Sequence, residues 1–198
     1  MVMKAPRRGP SGPGASRPRR PPRRADLAST AEGYRAPPAA LASWSAVTRP
    51  PIRQRLDWPL DTATYGRIKR LWVRHSIAED RRDVDGLIAT LAPDCLYEIV
   101  PTGQRWVGHD GARAFYTGFL AAFPDVHFEL ADIVIGPQGV FEIATMTGTH
   151  VGDWAGLPAT GLPVRLWIGI HFPWRPEVGL FGGEDIYLDR LALVPRTG

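Results

Sequence analysis

Residues 147–189 read TGTHVGDWAGLPATG, LPVRLWIGIHFPW, RPEVG, LFGGEDIYLD, and the reading of this stretch decides the fold. Pro163–Trp174 is rich in β-branched and aromatic residues, and Gly182–Val194 forms a second such run. With RPEVG as the turn, the two strands make a hairpin that sets His171 roughly opposite Asp185. On the first strand Arg165, Trp167, Gly169 and His171 alternate with Val164, Leu166, Ile168, Ile170 and Phe172. On the second, Asp185, Tyr187 and Asp189 share one face, while Glu184, Ile186 and Leu188 share the other. Alternation leans towards Ile186 and Leu188 in the core and the acidic face in water.

Working backwards, Val126–Ile135 and Val140–His150 are two more strands, joined by the turn signal GPQG. Helical spacing governs the residues before them. Asp61 can cap a helix whose face carries Tyr65, Ile68, Leu71, Trp72, His75 and Ala78. A second, short helix carries Val84, Leu87, Ile88 and Leu91 and is stopped by Pro93. Cys95–Val100 and Arg105–Val107 read as strands. Asp110 can cap a third helix bearing Phe115, Tyr116, Phe119 and Phe123. Helices first and strands afterwards predict an α+β fold: a cone-shaped α+β barrel, its curved, mostly antiparallel sheet wrapped over three helices.

Charge divides the chain of 198 residues. Residues 1–56 hold twelve Lys/Arg against two acids, and residues 57–198 hold twelve against eighteen. The first segment, dominated by Pro, Arg, Gly, Ala and Ser, cannot bury enough apolar area to order itself and reads as a disordered extension. It is a solvated tail or an early start, a basic arm for anionic partners, or a transit peptide. Residues 57–198 form the folded domain. Their acidic balance argues against nucleic acid binding, except non-specifically through the tail. The single cysteine, Cys95, allows no intramolecular disulfide and suits a reducing cytoplasm. No apolar run is long enough to span a membrane. Asp80, Asp83 and Asp85 lack the glycine of a calcium loop, and no phosphate, dinucleotide or zinc motif occurs.

Three passages carry a resemblance. TGTHVGDWAGLPATG at 147–161 is similar to a loop of the SnoaL-like polyketide cyclases, of the nuclear transport factor 2-like superfamily. GEDIYLD at 183–189 resembles their last strand, and DGLIATLAPDC at 85–95 their helix-to-strand passage. The closing LALVPRTG lacks the glutamine with which that strand often continues. The resemblance implies a deep apolar pocket, a homodimer through the sheet, and an aspartate that acts as acid and base without metal or organic cofactor.

On that basis Asp189, with Asp185, Tyr187 and His171, is the expected catalytic group. A carboxylate against an apolar wall gains basicity by desolvation, and a histidine beside it makes an acid–base pair. His150, Trp154, Trp72, His75, Tyr65 and Trp167 are the expected substrate contacts. The expected activity is that of a cyclase or isomerase on a small polyketide-, ketone- or steroid-like substrate. An epoxide hydrolase, a dehydratase, or a non-catalytic binding or dimerisation module of the same fold is the alternative.

Overall fold

The computed structural model describes residues 49–193, which lie within one compact unit. Order reaches back past the expected boundary at residue 57, because Arg49 is tied to the sheet and a short helix, α1, spans Ile52–Leu56. The rest of the expected extension, residues 1–48, lies outside the described residues.

Helix α2, Thr62–Asp80, starts where expected: the Asp61 carboxylate accepts from the Thr64 N–H at 2.6 Å, satisfying one of the free N-terminal donors. It buries Ile68, Leu71, His75 and Ala78, the predicted stripe. Tyr65, one turn nearer the N-terminus, stays exposed. Helix α3, Val84–Ile88, ends before Leu91, which opens strand β1, Leu91–Ile99. Pro93 therefore sits inside a strand. It is tolerated where pairing shifts register between Leu91 and Leu96, a bulge that needs no proline N–H.

Strand β2, Gln104–Val107, leads directly into α4, Gly108–Ala122. The predicted cap Asp110 lies within the first turn, where its charge complements the helix N-terminus; Val107 holds the cap position. Strands β3 (His127–Gly136), β4 (Gly139–Thr149), β5 (Pro163–Arg175) and β6 (Leu180–Leu188) complete one sheet, ordered β2-β1-β6-β5-β4-β3. β6 stops at Leu188, short of the predicted Val194, and a 3-10 turn covers Arg190–Leu193.

The sheet is open, which corrects the expected barrel. Its edges, β2 and β3, do not pair with each other. β2 has four residues and turns at once into α4, so α2 and α4 cover the sheet where closure would need further strand. The sheet is also mixed, since β1 runs parallel to β6. That pairing needs Gly183. Its φ of +116° suits glycine, and a Cβ there would lie 1.9 Å from the Leu96 carbonyl oxygen.

The Ile/Leu face of β5 and β6 is the inner one. Leu166, Ile168, Ile170 and Phe172 of β5, with Glu184, Ile186 and Leu188 of β6, are buried among Phe115, Tyr116, Phe119 and Trp154. Trp167 and Tyr187 are 62% and 41% exposed on the opposite, outer face. Among the described residues no helix is long and apolar enough to cross a membrane.

Candidate active site

Glu184 is an acid in the middle of the apolar face of β6. Parallel pairing sets Tyr97 of β1 beside it, and α4 and α2 bring Tyr116 and His75 from above. All three reach one oxygen. Glu184 Oε1 accepts from the Tyr97 hydroxyl at 2.8 Å and from the Tyr116 hydroxyl at 2.6 Å, and lies 3.0 Å from His75 Nε2. The two hydroxyls are 2.9 Å apart, and Tyr116 is also 2.9 Å from His75 Nε2.

The far side of the imidazole is fixed. Thr90 donates its hydroxyl proton to the Leu87 carbonyl at 2.6 Å, so its oxygen accepts from His75 Nδ1–H at 2.7 Å. His75 Nε2 then faces Glu184 Oε1 and the Tyr116 hydroxyl. Burial, and then the charge of Glu184, pushes both tyrosines well above the usual phenol range, which keeps them protonated donors.

Two further carboxyl groups share the interior. Glu79 follows His75 by one turn of α2. Burial pushes its carboxyl well up, and Glu184, Glu142 and Asp80 push the same way. Glu142 sits on β4 among Val140, Ala144 and Met146, and accepts from the Trp72 indole N–H at 2.7 Å. Burial raises its carboxyl to about 7; the Trp72 bond opposes the rise and Glu184 adds to it.

Glu79, Tyr116 and Glu184 line a cavity of about 20 Å³ walled by Phe119, Phe128 and Trp154. A chamber of about 80 Å³ adjoins it through Glu79, Tyr116, Phe119 and Phe128. These spaces are large enough for water and fall well short of the ~300–1,000 Å³ of a ligand pocket. Trp154, on the loop between β4 and β5, forms one wall. It packs on Phe115, Phe119 and Phe123, and the next two residues, Ala155 and Gly156, adopt left-handed φ of 53° and 73°.

The sequence-predicted residues are divided by the sheet. His75, Trp72 and Trp154 belong to the interior. Asp185 and His171 meet as the predicted register requires, with His171 Nδ1 2.9 Å from Asp185 Oδ2, but on the outer face. There Arg49 grips the same carboxylate with two bonds of 2.7 and 2.6 Å. Burial would raise Asp185, but the bonds from His171 and Arg49 outweigh it and hold the carboxyl below its usual range. Tyr187 and Trp167 are outer-face residues, and Asp189 lies exposed beyond the end of β6 beside them. The geometry therefore does not bring Asp189 to the interior.

His150, expected as a ligand contact, is buried and stacked on Phe123 at 5.0 Å. Cys95 is buried in β1, and burial raises its thiol to about 11. Asp83 caps α3 and Asp85 pairs with Arg113. Among the described residues no group of three or more His, Cys, Asp or Glu is placed to hold a metal ion.

Sequence reasoning missed Glu79, Glu142, Glu184, Tyr97 and Tyr116 as a site. The available signal was a carboxylate at an apolar position: Glu142 between Val140 and Ala144, and Glu184 two residues before Ile186.

A family model described as SnoaL-like polyketide cyclase matches residues 65–172. No curated protein sequence matches the chain. Among solved structures, TsrD from Streptomyces laurentii is 24% identical, with 68% of this chain and 95% of that one covered and a TM-score of 0.53. The candidate hydroxylase AclR from Streptomyces galilaeus is 23% identical over 68% of this chain and 90% of its own, with a TM-score of 0.53. A candidate SnoaL-like polyketide cyclase from Jannaschia sp. CCS1 is 20% identical over 70% and 97%, with a TM-score of 0.54. At these identities the likeness is one of fold.

Proposed function

The chain belongs to the SnoaL-like polyketide cyclase family, and we propose that it is an acid–base enzyme of the cyclase or isomerase type whose working groups are Glu184, Glu79 and Tyr116. Family membership supports a small-molecule-binding enzymatic role. The finer reading rests on one observation: two carboxyl groups face one cavity from opposite environments. Glu184 Oε1 is held by the hydroxyls of Tyr97 and Tyr116 and faces His75 Nε2. Glu79 has burial and like charges around it, which favour its neutral form. Such a pair assigns its own roles.

In this reading Glu184 takes a proton from a carbon next to a carbonyl of an apolar, ketone-bearing substrate. The neutral Glu79 carboxyl and the Tyr116 hydroxyl donate hydrogen bonds to the oxygen as the enolate forms. Tyr97 and His75 stand behind Glu184 and position it. A ring-sized substrate enters when Trp154 swings aside, because the space with Trp154 in place admits only water.

The test is Glu184→Gln, which keeps the shape of the side chain and removes its basicity. A general base contributes ~10²–10⁴-fold, so turnover of a polycyclic ketone substrate should fall by that factor while its affinity survives. Turnover unchanged in Glu184→Gln removes Glu184 from the chemistry. Binding without any turnover in the parent protein leaves a binding module.

A further inference from the structure

A second cleft lies away from the acid cluster, between residues 49–58 and the turn end of the β5–β6 hairpin. Its volume is about 180 Å³, and Trp58, Trp174, Arg49, Arg55, Arg175 and Glu177 are among its walls. It shares no lining residue with the cavity at Glu184.

The charges decide what it would take. Arg49 is matched by Asp185, as described. Arg175 is matched by Asp94 at 3.2 Å and by Glu177. Arg55 pairs with no carboxylate among the described residues. Its Nε donates to the Pro50 carbonyl at 3.0 Å, and its own carbonyl accepts from Gln138 Nε2 at 2.7 Å. Main chain and side chain are thus both tethered, while among the described residues the two terminal amino groups keep their donors. One unmatched guanidinium, with Glu177 close by, suits a single negative charge better than a dianion. A planar guanidinium binds a carboxylate through two parallel bonds.

The rest of the cleft suits a flat apolar body. Trp174, 4% exposed, is one of its walls. Trp58 offers a second indole. A cavity of ~150 Å³ accommodates benzene, so this volume has room for an aromatic ring and a carboxylate.

We propose that this cleft is a binding site for an aromatic monocarboxylate, with the carboxylate on Arg55 and the ring against Trp58 and Trp174. The probe is benzoate, titrated into the full chain by calorimetry, with neutral benzamide as its control. Benzoate should bind at least 10-fold more tightly than the amide, and added salt should weaken it. Arg55→Gln should abolish that preference, and Trp58→Ala should weaken both ligands by at least 5-fold; both variants should melt as the parent does. Glu184→Gln should change neither affinity. The proposal fails if benzoate does not bind, if Arg55→Gln leaves its affinity intact, or if the amide binds equally well. It also fails if Glu184→Gln removes binding, since the ligand would then occupy the inner cavity.

Discussion

Replacing Glu142 by Gln should stabilise the protein at alkaline pH and leave it unchanged near pH 4.5. Glu142 is 8% exposed, and its carboxyl is raised from 4.5 to about 7 by burial. A raised carboxyl binds its proton more tightly in the folded state than in the unfolded one. Its stability contribution is therefore complete below the unfolded value and is lost as pH climbs to the folded value. The window runs from 4.5 to about 7. At ~1.4 kcal/mol for each unit, the loss comes to about 3 kcal/mol above pH 7. Gln at this position still accepts the Trp72 N–H, fills the same space and does not ionise. In urea unfolding from pH 4.5 to 8.5 the variant and the parent should start together and diverge. The variant should lead by about 3 kcal/mol at pH 8, roughly 6–12 °C in Tm for a domain of this size. Trp72→Phe supplies the complement. It removes the bond that opposes the rise, so the decline of that variant should shift above pH 7. A difference that does not vary with pH, or a Gln variant weaker than the parent at pH 8, refutes the reasoning. Glu142 would then be solvated when charged, or paired.

Gly183→Ala puts a methyl group 1.9 Å from the Leu96 carbonyl at a φ of +116°, and should cost more than ~3 kcal/mol by chemical denaturation or prevent folding. Removing residues 1–48 should leave the melting temperature unchanged, because their Pro- and Arg-rich composition gives them little to bury. Removing residues 1–56 takes Arg49 from a carboxylate whose side chain is 8% exposed, and should cost about 1–3 kcal/mol in the same assay. The outer face exposes Trp167, Tyr187, Phe141 and Ile143 together, an apolar area suited to a second copy. Sedimentation should give twice the 21.8 kDa chain mass, with Trp167→Glu shifting it to the single mass. A parent protein that sediments at the single mass at every concentration rules the dimer out.

What was legible in the sequence was whatever neighbours in the chain determine. The Asp61 cap, the Ile68–Leu71–His75–Ala78 stripe and the pairing of His171 with Asp185 are set by spacing and by one turn, and each stands in the structure. Closure of the sheet, by contrast, is a relation between β2 and β3, which bracket α4 and pair elsewhere. The site lies in the same category. Alternation leaned to Ile186 and Leu188 inward, as the structure has them, but both faces of β6 carry an acid and the resemblance drew the site to the other one. The choice is made by distant residues: Arg49 covers Asp185 on one side, while Tyr97, Tyr116 and His75 receive Glu184 on the other. Tyr97 reaches Glu184 only because β1 runs parallel to β6, a pairing between chain segments far apart.

A rule follows for sheets of this kind. Burying Asp185 is offset by a guanidinium and an imidazole, so that acid is held for structure. Glu79, half-buried, and Glu142, buried, form no ion pair among the described residues, and a hydrogen bond from Trp72 offsets part of the cost of burying Glu142. A fold gains nothing in stability from two such groups, and hydrophobic residues of similar size would serve it better. In the acid–base work proposed above, Glu79 beside Glu184 supplies a carboxyl group that keeps its proton near neutral pH. On that reading Glu142→Gln gains stability, and Glu79→Gln loses turnover while keeping its fold. A Glu79→Gln protein that turns over at the parent rate would separate the buried acids from the chemistry.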